Sequence, residues 1–339
     1  FLVDYYVYTS TMYTIKTRAL LRELDLNGTS FQKQIRSDKH TGIVLPFYPM
    51  TETTLYGILF VYEQLRTMQY NSYITIVYST ELIRSEEQRI YIQFLKSKKI
   101  HCMNIHQKTS LKPYHFHSNA FHLISILFSP YRHTVYIHPD TILLRSPMYV
   151  LGTPEYKQTG TYFVRHQLPL HKFNHSFKRW MRDIIPYKKQ DVPMTYFEAS
   201  SCQHRGIICI DRHLHRKSLY KMYVLAKHYT TISHYLHQWS DAVWIACELA
   251  QRPFNLTNQL PNRIGTHKKH AGLFMDNANA YLYIGTQDGL RGRYDYTVVS
   301  YNGTSYEQIP PSVLSQLNQY IKLYRQIRVL YTNYKDRYI

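Results

Sequence analysis

The sequence predicts an α/β protein built on a doubly wound, mostly parallel sheet. Three observations predict it. Short runs rich in β-branched and aromatic residues alternate with helix-periodic segments through the first 140 residues. Such strand–helix repeats imply parallel pairing with right-handed crossovers. The chain has 339 residues, 44% of them hydrophobic, enough to bury one large α/β core or two smaller ones.

The elements follow in order. Residues 1–40 are mixed in character, with a basic helix expected over Thr14–Leu24 and a turn at Asn27-Gly28; they read as a stem or peripheral segment. Gly42–Phe47 is the first strand. Thr51, Glu52 and Thr54 open a helix on which Leu55, Ile58, Leu59, Tyr62 and Leu65 recur at helical spacing. Tyr73–Tyr78 is the second strand, and Ser85-Glu-Glu-Gln88 resembles a capping box opening the next helix. Lys99–Asn104 is the third strand, Ser118–Phe128 the third helix and Thr134–Ile137 the fourth strand. That strand ends in His138-Pro139-Asp140. Proline has no backbone donor, so a regular ladder stops there. A further apolar run, Ile142–Leu144, is closed by Pro147.

The second half is less regular. Strands are expected at Thr161–Arg165, Ile207–Ile210, Leu273–Met275 and Ala280–Ile284, and helices at Phe173–Ile184, His213–His228 and Ser240–Leu249. Ser200–Gly206 and Gly265–Gly272 read as polar and basic loops. Pro310-Pro311 starts a long terminal helix, Val313–Tyr331. With no internal repeat and no low-complexity linker, 41–339 reads as one domain. Its halves divide near residues 41–150 and 151–300, with the terminal helix over about 310–333.

Forty-one Lys and Arg against 22 Asp and Glu give a formal charge of +19, a field that attracts nucleic acid, acidic membrane surfaces or diphosphates. The basic residues are scattered, and neither zinc-finger spacing nor an RNA-recognition aromatic motif is present. Non-specific polyanion binding is expected. The sequence contains neither GxGxxG nor GxxxxGKS, so the two common phosphate-cradling fingerprints are unsupported. Four cysteines, Cys102, Cys202, Cys209 and Cys247, form no CxxC pair. Cys202 and Cys209 are spaced to bridge, or Cys209 is a small core residue. Glycosylation sequons occur at Asn27, Asn174, Asn255 and Asn302, a hint of a lumenal protein. The chain has no run of about 18 apolar residues, and an N-terminal membrane anchor is expected to have been removed.

A carboxylate just beyond a buried strand stands where open α/β sheets place ligand contacts, which makes Asp140 the first candidate for a metal or diphosphate contact. The alternative is a polar turn residue. Tyr48, just after the first strand, Asp241 in the first turn of a helix, His204-Arg205, and the basic run His267-Lys268-Lys269-His270 are the other candidates.

Four segments carry a family resemblance. Tyr136-Ile-His-Pro-Asp-Thr-Ile-Leu-Leu-Arg-Ser-Pro147, Cys202–Arg212, Gln238–Ala250 and Gly265–Phe274 resemble, in this order, the motifs of the fungal Golgi α-mannosyltransferases, the Mnn1/Mnn2-like group of the GT-A nucleotide-sugar glycosyltransferases. The first segment is similar to the one holding that family's metal-binding DxD. The resemblance implies a GT-A-like fold whose nucleotide half comes first and whose less regular acceptor half follows. It implies transfer of a hexose, mannose from GDP-mannose, onto a mannose-terminated glycan with retention, assisted by Mn²⁺ or Mg²⁺. It also implies the ectodomain of a type II membrane protein in the Golgi lumen. By analogy Asp140, His138 and His270 hold the metal. Tyr48, Asp140, His204, Arg205, Lys268 and Lys269 contact the nucleotide sugar. Asp241 acts at the acceptor or the anomeric centre, and Trp239 and Trp244 are candidate sugar-stacking rings, with core packing the stronger reading for Trp244. The chain departs from the family pattern at three acidic positions, now His138, His204-Arg205 and Trp239. The departures leave open a His/Asp metal site, weakened metal dependence, or a non-catalytic member that binds glycans or polyanions. A glycogenin-like UDP-hexose transferase is the other enzymatic reading.

Overall fold

The computed structural model describes residues 18–24, 39–70, 73–107, 119–169, 180–181, 184, 201–236, 238–258, 262–265, 270–275, 281–285, 300–301, 306–307 and 310–338. The expected doubly wound sheet is present. In chain order its elements are β1 (Lys39–Pro46), α1 (Glu52–Thr67), β2 (Tyr73–Tyr78), α2 (Glu86–Ser97), β3 (His101–Asn104), α3 (Ala120–Leu127) and β4 (Tyr131–Ile137). After β5 (Ile142–Leu143) come α4 (Pro154–Thr159), β6 (Thr161–Pro169), β7 (Ser201–Asp211), α5 (Arg216–Lys227) and α6 (Asp241–Leu249). The rest comprises β8 (Asn262–Gly265), β9 (His270–Met275), β10 (Tyr281–Ile284), β11 (Ser300–Tyr301), β12 (Tyr306–Glu307) and α7 (Pro311–Tyr338).

The main sheet has the order β3-β2-β1-β4-β7-β6. The pairs β1–β2, β2–β3 and β1–β4 are parallel, whereas β7 is antiparallel to both β4 and β6. Only β7 therefore runs against the rest. A second sheet, β12-β11-β8-β9-β10-β5, is antiparallel in every described pair and joins the first through β5, just past the His-Pro-Asp break. One core lies between the main sheet and α1, α2, α7 and the second sheet; the other lies under α3, α5 and α6. No described helix is long and apolar enough to cross a membrane.

Local chemistry explains the helix starts nearest the strand ends. Thr51 Oγ1 accepts the Thr54 N–H at 3.2 Å, and Glu52 sits at the positive end of α1. Ser85 accepts the Gln88 N–H at 3.3 Å, as the capping box requires, but Gln88 Oε1 reaches back to the Arg84 N–H at 2.6 Å, one residue earlier than expected. Inside α1 the buried Gln64 amide pairs with both backbone groups of Leu143, at 3.1 and 3.2 Å, and so fixes β5 directly after the break.

Several expectations need correction. The polar stretch Ser200–Gly206, read as a loop, forms the first part of β7 from Ser201 onward, and β6 runs on from Arg165 to Pro169 to pair with it. Cys209 is a free, buried thiol rather than half of a bridge. In the sequon at Asn255, Thr257 is fully buried and its Oγ1 accepts the Arg165 N–H at 3.0 Å, so that segment is folded into the protein. Gly265 and His270–Gly272 of the expected basic loop are strand, and the terminal helix continues to Tyr338. Of the expected helix Phe173–Ile184, residues 180, 181 and 184 are helical, and the other residues of that segment lie outside the described ones. The sequons at Asn27, Asn174 and Asn302 also lie outside them.

Arg212 is the largest fully buried side chain, 1% exposed. Its guanidinium donates to Leu127 O at 2.6 Å, to Tyr131 O at 3.2 Å and to Ser129 O. It thus places a cation at the C-terminal end of α3 and fixes the turn into β4. Burial pulls its pKa down to about 10, so it stays charged at neutral pH. Replacing Arg212 with Met should lower the unfolding free energy by about 3 kcal/mol or more, because three buried carbonyls lose the guanidinium, and of these Tyr131 O keeps the Thr134 hydroxyl as a donor. The check is the urea midpoint at unchanged m-value; a loss below about 0.5 kcal/mol would contradict this role.

Candidate functional site

Sheet topology brings three chain segments together at one end. The parallel strands β1 and β4 end side by side, followed by Tyr48-Pro49, a cis peptide, and by His138-Pro139-Asp140. Because β7 is antiparallel to β4, its first residues arrive at the same end. The pairing is prolonged past the strand by the His138 N–H, which donates to Gly206 O at 2.9 Å. Here lies a cavity of about 290 Å³, near the lower bound for small-molecule sites. Its walls include Tyr48, His138, Asp140, Arg205 and Trp239, and also Thr53, Thr54, Asn119 and His122.

Arg205 reaches this cavity because β7 is bulged. Between the pairs Phe163–Ile208 and Arg165–Gln203, a single β6 residue, Val164, faces four of β7, His204 to Ile207. Three extra residues, an odd number, reverse which face a side chain takes. Ile207 and Cys209 lie in the first core, whereas Arg205 lines the cavity, with Nη2 3.9 Å from Asp140 Oδ2. His204 goes to the other side. It is buried, its ring lies 4.0 Å from that of Phe274, and its Nδ1 is 2.8 Å from the Tyr283 hydroxyl and accepts the Gly206 N–H at 3.0 Å. Burial, reinforced by the nearby His166 and Arg205, holds the His204 pKa well below the usual histidine range. Gly206 cannot carry a side chain here, since a Cβ would overlap the Tyr283 ring.

Asp241 is the hub behind the wall. It is 1% exposed. Its carboxylate accepts the Gln203 N–H at 3.0 Å, the Gln238 N–H at 3.1 Å and the Trp244 Nε1–H at 3.3 Å. It ties the start of β7, which carries Arg205, to the segment carrying Trp239. Trp239 in turn stacks on His122, centroids 4.8 Å apart at 16°. His122 Nδ1 is hydrogen-bonded to the Tyr136 hydroxyl at 2.9 Å. Burial, helped by the positive charge of Arg205, pulls the His122 pKa down to about 3, so the imidazole under the cavity is neutral.

The structure thus brings Tyr48, His138, Asp140 and Arg205 together. It places His204 on the opposite side of β7 and makes Asp241 a buried structural acceptor that does not line the cavity. Trp244 is buried on α6, within the second core. Lys268 and Lys269 lie outside the described residues; His270 pairs with Gly265 in the second sheet, and its side chain lies outside them too. The sequence reading missed His122, which sits inside the apolar run of α3, and Asn119, Thr53 and Thr54, which belong to helix starts. The signal for Thr53 and Thr54 was available: a capped helix directly after a strand puts its first turn at the strand's mouth.

The described wall residues do not by themselves supply the ligand set of a divalent cation. Asp140 is the one carboxylate among the described wall residues, and no group of three His, Cys, Asp or Glu among the described residues is placed to hold a metal. His138 Nδ1 accepts the Asp140 N–H at 3.1 Å, so that lone pair is already in use. Arg205 also sets a positive charge beside the carboxylate.

Among known proteins, the family model described as "Mannosyltransferase putative" matches residues 40–282. No curated protein gives a significant sequence match. Similar solved structures include mouse xyloside xylosyltransferase 1 in its apo form, with 11% identity over 64% of this chain and 84% of that one, at a TM-score of 0.37. They also include the mannosyltransferase Ktr4p from S. cerevisiae, with 11% identity over 71% of this chain and 78% of that one, TM-score 0.37. The GDP complex of Ktr4p matches with 10% identity over 70% and 76%, TM-score 0.35.

Two predictions follow from this geometry. His122 takes up a proton in the unfolded chain below about pH 6.5 but in the folded protein only near pH 3. Between those values the unfolded state binds more protons, so stability falls as pH falls, by at most about 1.4 kcal/mol per pH unit for each such group. His122→Gln should flatten that acid limb in urea titrations across the same window; an unchanged slope would contradict a neutral buried His122. Asp241→Asn turns one acceptor oxygen into a donor facing N–H groups and should cost about 2 kcal/mol of stability. A variant of wild-type stability would return Asp241 to the chemistry.

Proposed function

The chain belongs to this mannosyltransferase family, and on that premise we propose that it transfers mannose from GDP-mannose onto a mannose-terminated glycan, with retention at the anomeric carbon. The observation that carries the reading is the cavity at the ends of β1 and β4, lined by Tyr48, where Arg205 meets Asp140, within the segment the family model covers. In the transfer, the bond from the anomeric carbon to the β-phosphate oxygen breaks and a bond to the acceptor oxygen forms. The acceptor proton leaves with the released diphosphate. The protein must therefore neutralise a growing charge on the leaving group and tolerate a cationic sugar.

In this reading Arg205 faces the leaving diphosphate, where a guanidinium fork matches phosphate geometry. Asp140 stands where a carboxylate stabilises positive charge on the sugar. Tyr48, whose ring packs 5.5 Å from that of Phe121, offers an aromatic face for the base. Asp241 acts as a positioning residue through Gln203 and Gln238 rather than at the anomeric centre. The closer relationship to the Mnn1/Mnn2-like group, and a place in the Golgi lumen as the ectodomain of a type II membrane protein, are part of the same proposal. They rest on the four motif segments and on the sequons. The loss of acidic residues favours one alternative, a non-catalytic member that binds glycans.

The test is thermal unfolding with GDP and with UDP, with and without Mn²⁺, followed by incubation with radiolabelled GDP-mannose and a mannobiose acceptor. A rise in Tm with GDP and not UDP, together with label in the trisaccharide, is the expected outcome. A shift with UDP alone would replace the donor with a UDP-hexose. Binding without transfer would make the chain a glycan- or nucleotide-binding member.

A further inference from the structure

We propose that a second cavity, at the opposite end of the main sheet, binds a pyranose ring that carries an anionic group. It lies where β2, β3 and β4 begin, one strand length, about 20 Å along β4, from the cavity of Arg205 and Asp140. Its volume is about 170 Å³, below the range of drug-sized sites, which suits about one sugar ring. Tyr62, Arg66, Tyr73, Lys99, His101 and Tyr131 line it, and no carboxylate does so among the described residues. The proposal stands apart from the choice of donor and acceptor.

Two features make it a built site. The first is an aromatic platform. Tyr73 is 54% exposed, yet its ring is held against that of the buried Tyr131, centroids 6.2 Å apart at 25°. The two residues stand on β2 and β4, with β1 between them. Their rings meet because Gly42, opposite Tyr73 on β1, has no side chain; a Cβ there would lie 2.5 Å from the Tyr131 ring. The Tyr131 hydroxyl is hydrogen-bonded to the buried Thr75 at 2.5 Å, and Thr75 to His101 Nδ1 at 3.0 Å, which fixes both rings. An exposed aromatic face kept in one orientation is a surface on which the C–H face of a sugar packs at little ordering cost.

The second feature is placed positive charge. Arg66, in the last turn of α1, donates through Nη1 to Tyr70 O at 3.2 Å and through Nη2 to the Tyr62 hydroxyl at 3.0 Å, with its Cζ 5.0 Å from the Tyr62 ring centroid. Those bonds engage two of its five N–H groups and orient a guanidinium on an exposed residue. Lys99 follows α2 with a φ of +57°, in the left-handed region where glycine is the easiest residue. A lysine there keeps a cation beside the cavity at some cost to the backbone. A neutral sugar would use the platform and leave the cations without an acceptor. An inorganic anion would use the cations and leave the platform bare. A ring bearing a phosphate monoester or a carboxylate uses both.

Calorimetric titration of the full chain with mannose 6-phosphate, glucuronate, mannose and inorganic phosphate separates these cases. One or both sugar anions should bind at least about tenfold more tightly than mannose and than inorganic phosphate, and the tighter of the two identifies the source of the charge. Tyr73→Ala should weaken that binding about fivefold or more. Lys99→Gly should weaken it about threefold. The same change should leave the urea midpoint unchanged or raise it, which separates recognition from folding. Arg205→Gln, in the other cavity, should leave the affinity as it is. Equal affinity for mannose or for inorganic phosphate would overturn the proposal. So would undiminished binding in Tyr73→Ala, loss of binding in Arg205→Gln, or no binding of either sugar anion at millimolar concentration.

Discussion

The site depends first on the antiparallel pairing of β4 with β7. In an otherwise parallel sheet, one reversed strand brings its beginning to the end where its neighbours finish. The ladder runs from His133–Asp211 to Ile137–Ile207 and continues through the His138 N–H bond to Gly206 O. That last bond holds the proline-broken turn against β7 at the point where a regular strand has already stopped. Gly206 is small because Tyr283 of the second sheet presses on it, and the three extra residues of the bulge turn Arg205 into the cavity and His204 away from it. A flat, regular β7 would send Arg205 into the first core with Ile207.

Around that pairing the buried polar groups act as fasteners. A buried carboxylate without partners would be neutralised or expelled. Asp241 stays because two backbone N–H groups and an indole N–H converge on it, and those donors belong to the two segments that form one wall of the cavity. Arg212 does the same at the far end of β4, where three carbonyls at the exit of α3 and the entry of the strand need a donor. Both charges are spent on backbone geometry, which removes them from the chemistry of the site.

Much of the sheet was legible in the sequence because its strands are buried on both faces and read as unbroken apolar runs, as in Tyr73–Tyr78 and Thr134–Ile137. The His-Pro-Asp break was legible because proline cannot serve a ladder. Ser200–Gly206 was not. Its polarity reads as solvent exposure, but Gln203 and His204 are buried and their backbone and ring atoms are paired with Asp241, Ser240 and Tyr283. Polar residues whose partners are distant in sequence look like loops until the partners are known. His122 was hidden for the opposite reason: seven of the eight α3 residues are not titratable, and a histidine among them reads as one more core position. Asp241 was legible as a helix-start carboxylate, but nothing in the local sequence says that it faces Gln203 rather than a ligand.

The floor of the cavity decides how strongly its walls act. His122 stacks on Trp239 there, Tyr136 meets both rings edge-on, all three are buried, and the His122 imidazole stays neutral because burial and the Arg205 charge both oppose its protonation. An uncharged, buried floor lowers the local dielectric, so the guanidinium beside it acts on an anion more strongly than the same group would in water. A charged histidine in that place would add attraction, but burial and the Arg205 charge both act against it. The net charge of +19 draws anions toward the surface in general. Among the described residues of this cavity's wall, Arg205 is the one guanidinium, and the bulge turns it inward.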